Sequence, residues 1–177
     1  MSHSDLATSV NHPTNAADRV SLRYAVKSSD RDVVRSIIER TSFFRSDEVD
    51  VAVELVEEHI NRGIASGYHF VFAECNGAVA GYACFGPIAC TIGSFDLYWI
   101  AVDPVQQGQG VGRQLMEVVE AQVIAAGGRR IYIDTSGQLK YAPTRRFYER
   151  SGFRCAARLV DFYAPGDDRL ILEKVVA

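Results

Sequence analysis

The sequence predicts one α/β domain built on a mixed sheet of about seven strands, with about four helices. Segments of strand and helix periodicity interleave in the order β α α β β β α β α β β. Near the middle, residues 96–122 read as a strand, a glycine-rich turn and a helix in direct succession. The 177 residues suffice for a single domain with a real core.

Residues 1–19 are polar, lack aromatics and show no periodicity, so they read as a flexible tail ahead of a domain at 20–177. Residues 20–26 alternate as a first strand. Ser28, Ser29 and Asp30 offer caps for a helix carrying Val33, Val34, Ile37 and Ile38 on one face. Ser46 offers the cap of a second helix, with Asp47 and Glu48 in the turn where the dipole favours negative charge. Its stripe of Val49, Ala52, Val53, Val56 and Ile60 has the spacing of one buried face, and Gly63 and Gly67 end it. Residues 68–74 alternate, with Phe70 and Phe72 on one side and Val71 and Ala73 on the other. Asn76-Gly77 is a hairpin signal, residues 78–85 are the return strand, and 86–94 form a loop before the strand 96–102. The long helix begins at Val111, carries Leu115, Val118 and Val119, and stops at Gly127-Gly128. Residues 130–135 form a strand with Ile131 and Ile133 on one face. Pro143 suits the first turn of a short helix over 144–150. Two last strands, 153–163 and 169–176, flank a turn at 164–167.

Composition excludes several classes. The net charge of -3 carries no bulk basic signal for nucleic acid or an anionic membrane. No apolar run approaches the roughly 20 residues of a membrane helix. The first 19 residues lack the charged region and apolar core of a signal peptide. Cys75, Cys84, Cys90 and Cys155 are scattered with no CxxC pair, which argues against a zinc site or a disulfide framework and for a reducing, cytoplasmic setting. The expectation is a cytoplasmic protein with no metal, no nucleic acid and no membrane partner.

The glycine-rich turn points free backbone N–H groups and the positive end of a helix dipole at one spot, which suits phosphate or pyrophosphate. A P-loop is excluded because Arg113-Gln114 follows the last glycine where Lys and Ser or Thr are required. A dinucleotide fingerprint is excluded because Gly108, Gly110 and Gly112 give G-x-G-x-G, with no acidic residue at the right distance. Gln107–Gly112 instead fits Q/R-x-x-G-x-G/A in full.

The run from Asp96 to Leu115 resembles the central motif of the GNAT superfamily of acetyl-CoA-dependent N-acetyltransferases, and FYERSGF at 147–153 is similar to its second motif. The order of elements matches that fold, over roughly residues 20–176. The resemblance implies acetyl-CoA as co-substrate, its pyrophosphate cradled by the backbone of Gln107, Gly108, Gln109, Gly110, Val111, Gly112 and Arg113. It assigns the pantetheine arm to Ile100, Ala101 and Val102, where an extended amide chain can pair like an added strand. It also implies a bulge that splays the fourth strand from the fifth. The thioester would enter that gap, where a backbone N–H polarises its carbonyl. The implied reaction is direct transfer to a primary amine of a small molecule or protein through a ternary complex.

Tyr148, in the FY pair of the second motif, is the candidate acid for the leaving thiolate and a coenzyme contact; the plain alternative is a core tyrosine. Asp96 and Asp134 are candidate bases expected on opposite lips of the splay. Each is one methylene shorter than the family's usual glutamate, which favours a bridging water. His69 reads as an ordinary strand residue, and Tyr98 and Trp99 as packing residues of which one can line the cleft. Arg145 and Arg146 read as solvated rather than phosphate-bound. Acceptor specificity is expected from Phe43, Phe44 and Arg45, from the loop 86–94, and from 161–168, where carboxylates beside aromatics suit a cationic amine. Another reading of the same residues is a regulatory module that holds acetyl-CoA without turnover. Edge strands at 153–176 make a homodimer plausible.

Overall fold

The computed structural model describes residues 20–177, so the expected tail lies outside the described residues. Seven strands form one sheet in the order β1-β2-β3-β4-β5-β7-β6. They are β1 (Ser21–Arg23), β2 (His69–Cys75), β3 (Ala78–Pro87), β4 (Ser94–Val102), β5 (Arg130–Ser136), β6 (Arg154–Ala164) and β7 (Asp167–Val175). The helices are α1 (Asp30–Thr41), α2 (Ser46–Arg62), α3 (Val111–Ala125) and α4 (Ala142–Arg150). β4 and β5 pair in parallel; the other neighbours are antiparallel. Among the described residues no helix is long and apolar enough to cross a membrane.

Two cores sandwich the sheet, and strand alternation divides residues between them. Phe70 and Phe72 of β2 join Val34, Ile37, Ile38 and Val56 under α1 and α2. Val71 and Ala73, their neighbours in sequence, join Leu115, Val119, Ile131 and Ile133 under α3. Each fully buried aliphatic side chain is worth about 1.5–3 kcal/mol of transfer free energy, so the two stripes on α1 and α2 hold that layer in place. The Asn76-Gly77 turn has φ of 51° and 80°, the left-handed pair that a two-residue hairpin needs.

The helix starts differ from expectation. Ser29 makes no side-chain cap bond at α1. Instead Asp30, 1% exposed, accepts the Lys27 N–H at 2.7 Å and both ends of the Arg23 guanidinium at 2.9 Å. This clamp draws the chain from the sheet toward α1 directly after Arg23, so β1 is shorter than the expected 20–26. At α2 the capping position is Arg45, not Ser46, and Glu48 reaches back to accept the Arg45 N–H at 2.8 Å.

The splay is present. β4 and β5 pair only at Ser94↔Arg130, Phe95↔Ile131 and Asp96↔Tyr132, and then run on apart to Val102 and Ser136. Its cause lies on the other side of β4. Cys84 opposes Trp99 and Phe85 opposes Leu97, which leaves Tyr98 as an extra residue. Such a bulge bends its strand and sharpens the local twist, here away from β5.

Candidate active site

β4 turns alternate backbone groups to its two sides. The Asp103 N–H donates to the Ala80 carbonyl at 2.8 Å, and a Cβ on Gly81 would meet the Ala101 carbonyl oxygen at 2.7 Å. Ala101 and Asp103 therefore face β3. Alternation turns the backbone of Ile100 and Val102 into the gap. The Val102 carbonyl accordingly accepts from the Gln107 side chain at 3.2 Å, on the open side. Of the three residues expected to form the edge, Ile100 and Val102 provide it and Ala101 is spent on the sheet.

The strand leads into a 3-10 turn, Pro104–Gln106, capped by Asp103, whose carboxylate accepts the Val105 N–H at 3.2 Å. Arg40 of α1 donates to the same carboxylate at 2.6 Å and ties the turn to the first layer. Gly108 and Gly110 follow with φ of 78° and 86°, and nothing lies within 4 Å of where their Cβ atoms would be. Glycine is required there by backbone path, not by crowding. Gly110 precedes α3, and the Gln114 N–H makes the first intrahelical bond, to Gly110, at 3.0 Å. The N–H groups of Val111, Gly112 and Arg113 are thus left for an anion. Gly112 differs from the other two: its φ is ordinary, and a Cβ would touch the Phe147 ring and Val102 at 3.5–3.6 Å, normal contact. The side chains of Gln109 and Arg113 turn aside, to the Val105 carbonyl at 3.3 Å and to Glu117 at 2.7 Å.

A cavity of about 530 Å³ opens between the splayed strands. Ile100, Val102, Gln107, Thr144 and Tyr148 line it together with Phe43, Phe44, Tyr98, Trp99, Tyr141 and Tyr163. α4 presents Tyr148, which is 7% exposed and packs against Phe147 and Phe153. Burial pushes its phenol well above the ordinary value, and among the described residues no hydrogen bond engages its hydroxyl. Tyr98 is pushed up to about 12, by burial first and then by the Asp96 charge.

The two candidate bases are placed unequally. Asp96 alternates with the buried Phe95 and Leu97, and Asp134 with Ile133, so both side chains lie on the α2 side of the sheet. Asp134 lines the cavity and pairs with the Arg169 guanidinium. Asp96 sits one step back, where β4 and β5 still pair, and is not part of the wall. Its carboxyl is held above the usual range, by burial first and by the charge of Asp134 second, with Arg169 opposing.

Three expectations fail for definable reasons. The strands β3 and β4 extend into the segment read as a loop at 86–94, and what remains is held at the start of β4. There Arg129 donates to the Ile92 carbonyl at 2.7 Å, at the opposite end of the strand from the cavity. Arg145 is neither solvated nor phosphate-facing; it donates to the Ser136 and Gln138 carbonyls at 2.8 Å and locks the β5–α4 connection. Tyr98 and Trp99 both line the cavity, where one was expected to. Gln138, Lys140 and Tyr141, also on the wall, were not anticipated. The signal for them was positional: they follow the carboxyl end of a parallel strand, where open α/β sheets bind ligands.

A family model described as an acetyltransferase (GNAT) domain matches residues 66–155. A GNAT-family protein of solved structure from Desulfovibrio desulfuricans is 51% identical, covers 90% of this chain and 100% of its own, and superposes with a TM-score of 0.88. Two more distant structures share the fold. The ribosomal-protein-S18-alanine N-acetyltransferase of Escherichia coli is 21% identical over 90% of this chain and 95% of its own, with a TM-score of 0.71. YncA of Salmonella typhimurium, solved with acetyl-CoA, is 19% identical over 90% and 95%, with a TM-score of 0.70. No curated protein sequence matches. The matched domain spans the glycine loop, the splayed strands and Tyr148, and with a relative of half-identical sequence along nearly the whole chain, this protein belongs to the GNAT family of acetyltransferases.

Proposed function

We propose that the protein transfers an acetyl group from acetyl-CoA directly to a primary amine within a ternary complex. One observation carries this reading: the free edge at Ile100 and Val102 and the Tyr148 side chain line one cavity, and the strand that supplies the edge runs directly into the loop with the anion-ready amides after Gly110. Coenzyme A has an amide-rich arm for the edge, a sulfur for Tyr148 and a pyrophosphate for the loop amides. The bound acetyl-CoA of YncA supports the assignment by likeness of fold.

The acceptor nitrogen attacks the thioester carbon; a C–N bond forms and the C–S bond breaks. The carbonyl oxygen gains charge and is met by a gap-facing backbone N–H of β4. The proton lost by nitrogen passes to Asp134 on the wall, or to Asp96 through a water. The raised Asp96 carboxyl is a better proton acceptor than an ordinary aspartate. Tyr148 protonates the leaving thiolate. A phenol is protonated at neutral pH and so has that proton to give, while burial, which raises its pKa, makes it a weaker acid than a free tyrosine.

The test is release of coenzyme thiol across a broad amine panel, with wild type beside Tyr148→Phe and Asp96→Asn. At least one amine should yield thiol, and Tyr148→Phe should lower kcat by about 10²-fold, the low end for a general acid. Binding of acetyl-CoA without thiol release from any amine would instead favour the non-catalytic module.

A further inference from the structure

Besides Tyr148, six rings wall the cavity: Phe43, Phe44, Tyr98, Trp99, Tyr141 and Tyr163. Phe44 meets Trp99 edge-on at 5.0 Å between centroids, and Phe43 lies 5.4 Å from Tyr141. The carboxylates on the same wall are already engaged. Glu48 accepts the Arg45 N–H at 2.8 Å. Asp167 accepts from Ser136 Oγ at 2.5 Å and from Gln138 Nε2 at 2.9 Å. Asp134 holds Arg169. Arg45 on the same wall is paired with Asp47 at 3.0 Å, and Lys140 adds a positive charge with which, among the described residues, no carboxylate pairs.

Two further features complete the wall. Lys140 Nζ and the Tyr141 hydroxyl both donate to the Phe43 carbonyl, at 3.0 and 3.3 Å. They join the α1–α2 loop to the β5–α4 loop across the cleft. On the other side, Leu159 opposes Arg169 and Ala164 opposes Asp167, so residues 160–163 bulge out of β6. Asp168, 8% exposed, pins that bulge by accepting the Asp161 N–H at 2.9 Å and pairing with Arg158. The bulge delivers Tyr163 to the cavity.

From this wall we infer that the acceptor is a primary monoamine joined by a short alkyl chain to an aromatic body, and not a polycation. A ring fills an aromatic-walled slot by edge and face contacts. A polyamine or aminoglycoside needs several carboxylates free to pair, whereas the three on this wall already hold Arg45, Arg169 and the Ser136–Gln138 pair, and Lys140 adds a positive charge. The inference rests on the acetyl-transfer reading above and specifies its substrate.

The experiment measures thiol release from acetyl-CoA with phenethylamine, tryptamine, glycine, spermidine and kanamycin. In parallel it follows the fluorescence of Trp99, the chain's one tryptophan, during titration with each amine. The aromatic monoamines should exceed the others in kcat/KM by about tenfold or more, the factor expected for ring contacts worth about 1.4 kcal/mol. They should also perturb Trp99 emission. Tyr163→Ala should reduce that preference, read as the ratio of kcat/KM for phenethylamine to glycine, by roughly the same factor. If spermidine, kanamycin or glycine is acetylated as well or better, the substrate class is wrong while acetyl transfer stands. A Trp99 response without thiol release keeps the ligand class and removes the transfer reading. Neither signal with any amine removes both.

Discussion

Gly110 and Gly112 sit two residues apart in one loop and answer to different constraints. Gly110 has a φ of 86° with open space around it, and Gly112 is helical with ordinary neighbours. Gly110→Ala should cost about 1–2 kcal/mol, the penalty for a side chain in the left-handed region. Gly112→Ala should be neutral or stabilising by up to about 1 kcal/mol, because alanine is the better helix former and its Cβ fits. Thermal melts of the two variants side by side check this; equal losses would remove the conformational reading of Gly110. Asp96 makes a second case. Burial raises its folded-state pKa above the unfolded value, so the charged form is disfavoured in the native state. Between the two pKa values the native state binds more protons than the unfolded one, and stability falls as pH rises through that window. Asp96→Asn should therefore raise Tm at pH 7–8, with the gain fading toward the ordinary aspartate value of about 3.9 and absent below it. A Tm gain that persists at pH 3 would mean that the charge is not the cause.

At the scale of elements, what was legible and what was not divides by range of interaction. Period, turn chemistry and glycine spacing are local. They placed every helix and strand within a few residues, the Asn76-Gly77 turn, and the division of Phe70 and Phe72 from Val71 and Ala73. The cap of α2 is local and was misplaced by one residue, from Arg45 to Ser46, whereas the contacts that fix the start of α1 and the turn after β4 come from outside the local pattern. Ser29 and Asp30 both have the chemistry to cap α1, yet Ser29 makes no cap bond and Asp30 turns instead to the Lys27 N–H and to Arg23, seven positions earlier. Asp103 is similar: nothing near it in sequence announces Arg40, 63 positions away. The off-wall position of Asp96 was equally invisible, since it depends on where the β4–β5 pairing stops. The Arg23–Asp30 clamp can be tested directly. Asp30→Ala removes two 2.9 Å bonds from Arg23, 13% exposed, and the acceptor of the Lys27 N–H, while Glu74 still holds Arg23 at 2.5 Å, so it should cost about 1–3 kcal/mol. Adding Arg23→Met should restore part of that loss in denaturant titrations. A double variant no better than the single would show that the clamp is packing rather than charge.

At the scale of the molecule, the sheet is two half-sheets, β1 to β4 and β5 to β7, joined through three residue pairs at Ser94–Asp96 and by α3. Beyond those pairs the facing edges carry backbone groups that no strand satisfies. An extended amide chain laid in the gap would act as the absent strand and tie the halves together, while the loop amides after Gly110 take its phosphates. Coenzyme binding should then stabilise the fold by linkage. At 100 times its Kd a ligand specific for the native state adds about 2.7 kcal/mol. For a chain of this length that raises Tm by roughly 5–10 °C. The gain alone would not locate the ligand, but hydrogen exchange would. Acetyl-CoA should slow exchange at the gap-facing amides of Ile100 and Val102 and in the first turn of α3. The β3-facing amide of Ala101, already paired across the sheet, should change least. A thermal gain accompanied by protection elsewhere, or uniform along β4, would show that the coenzyme does not lie in the splay.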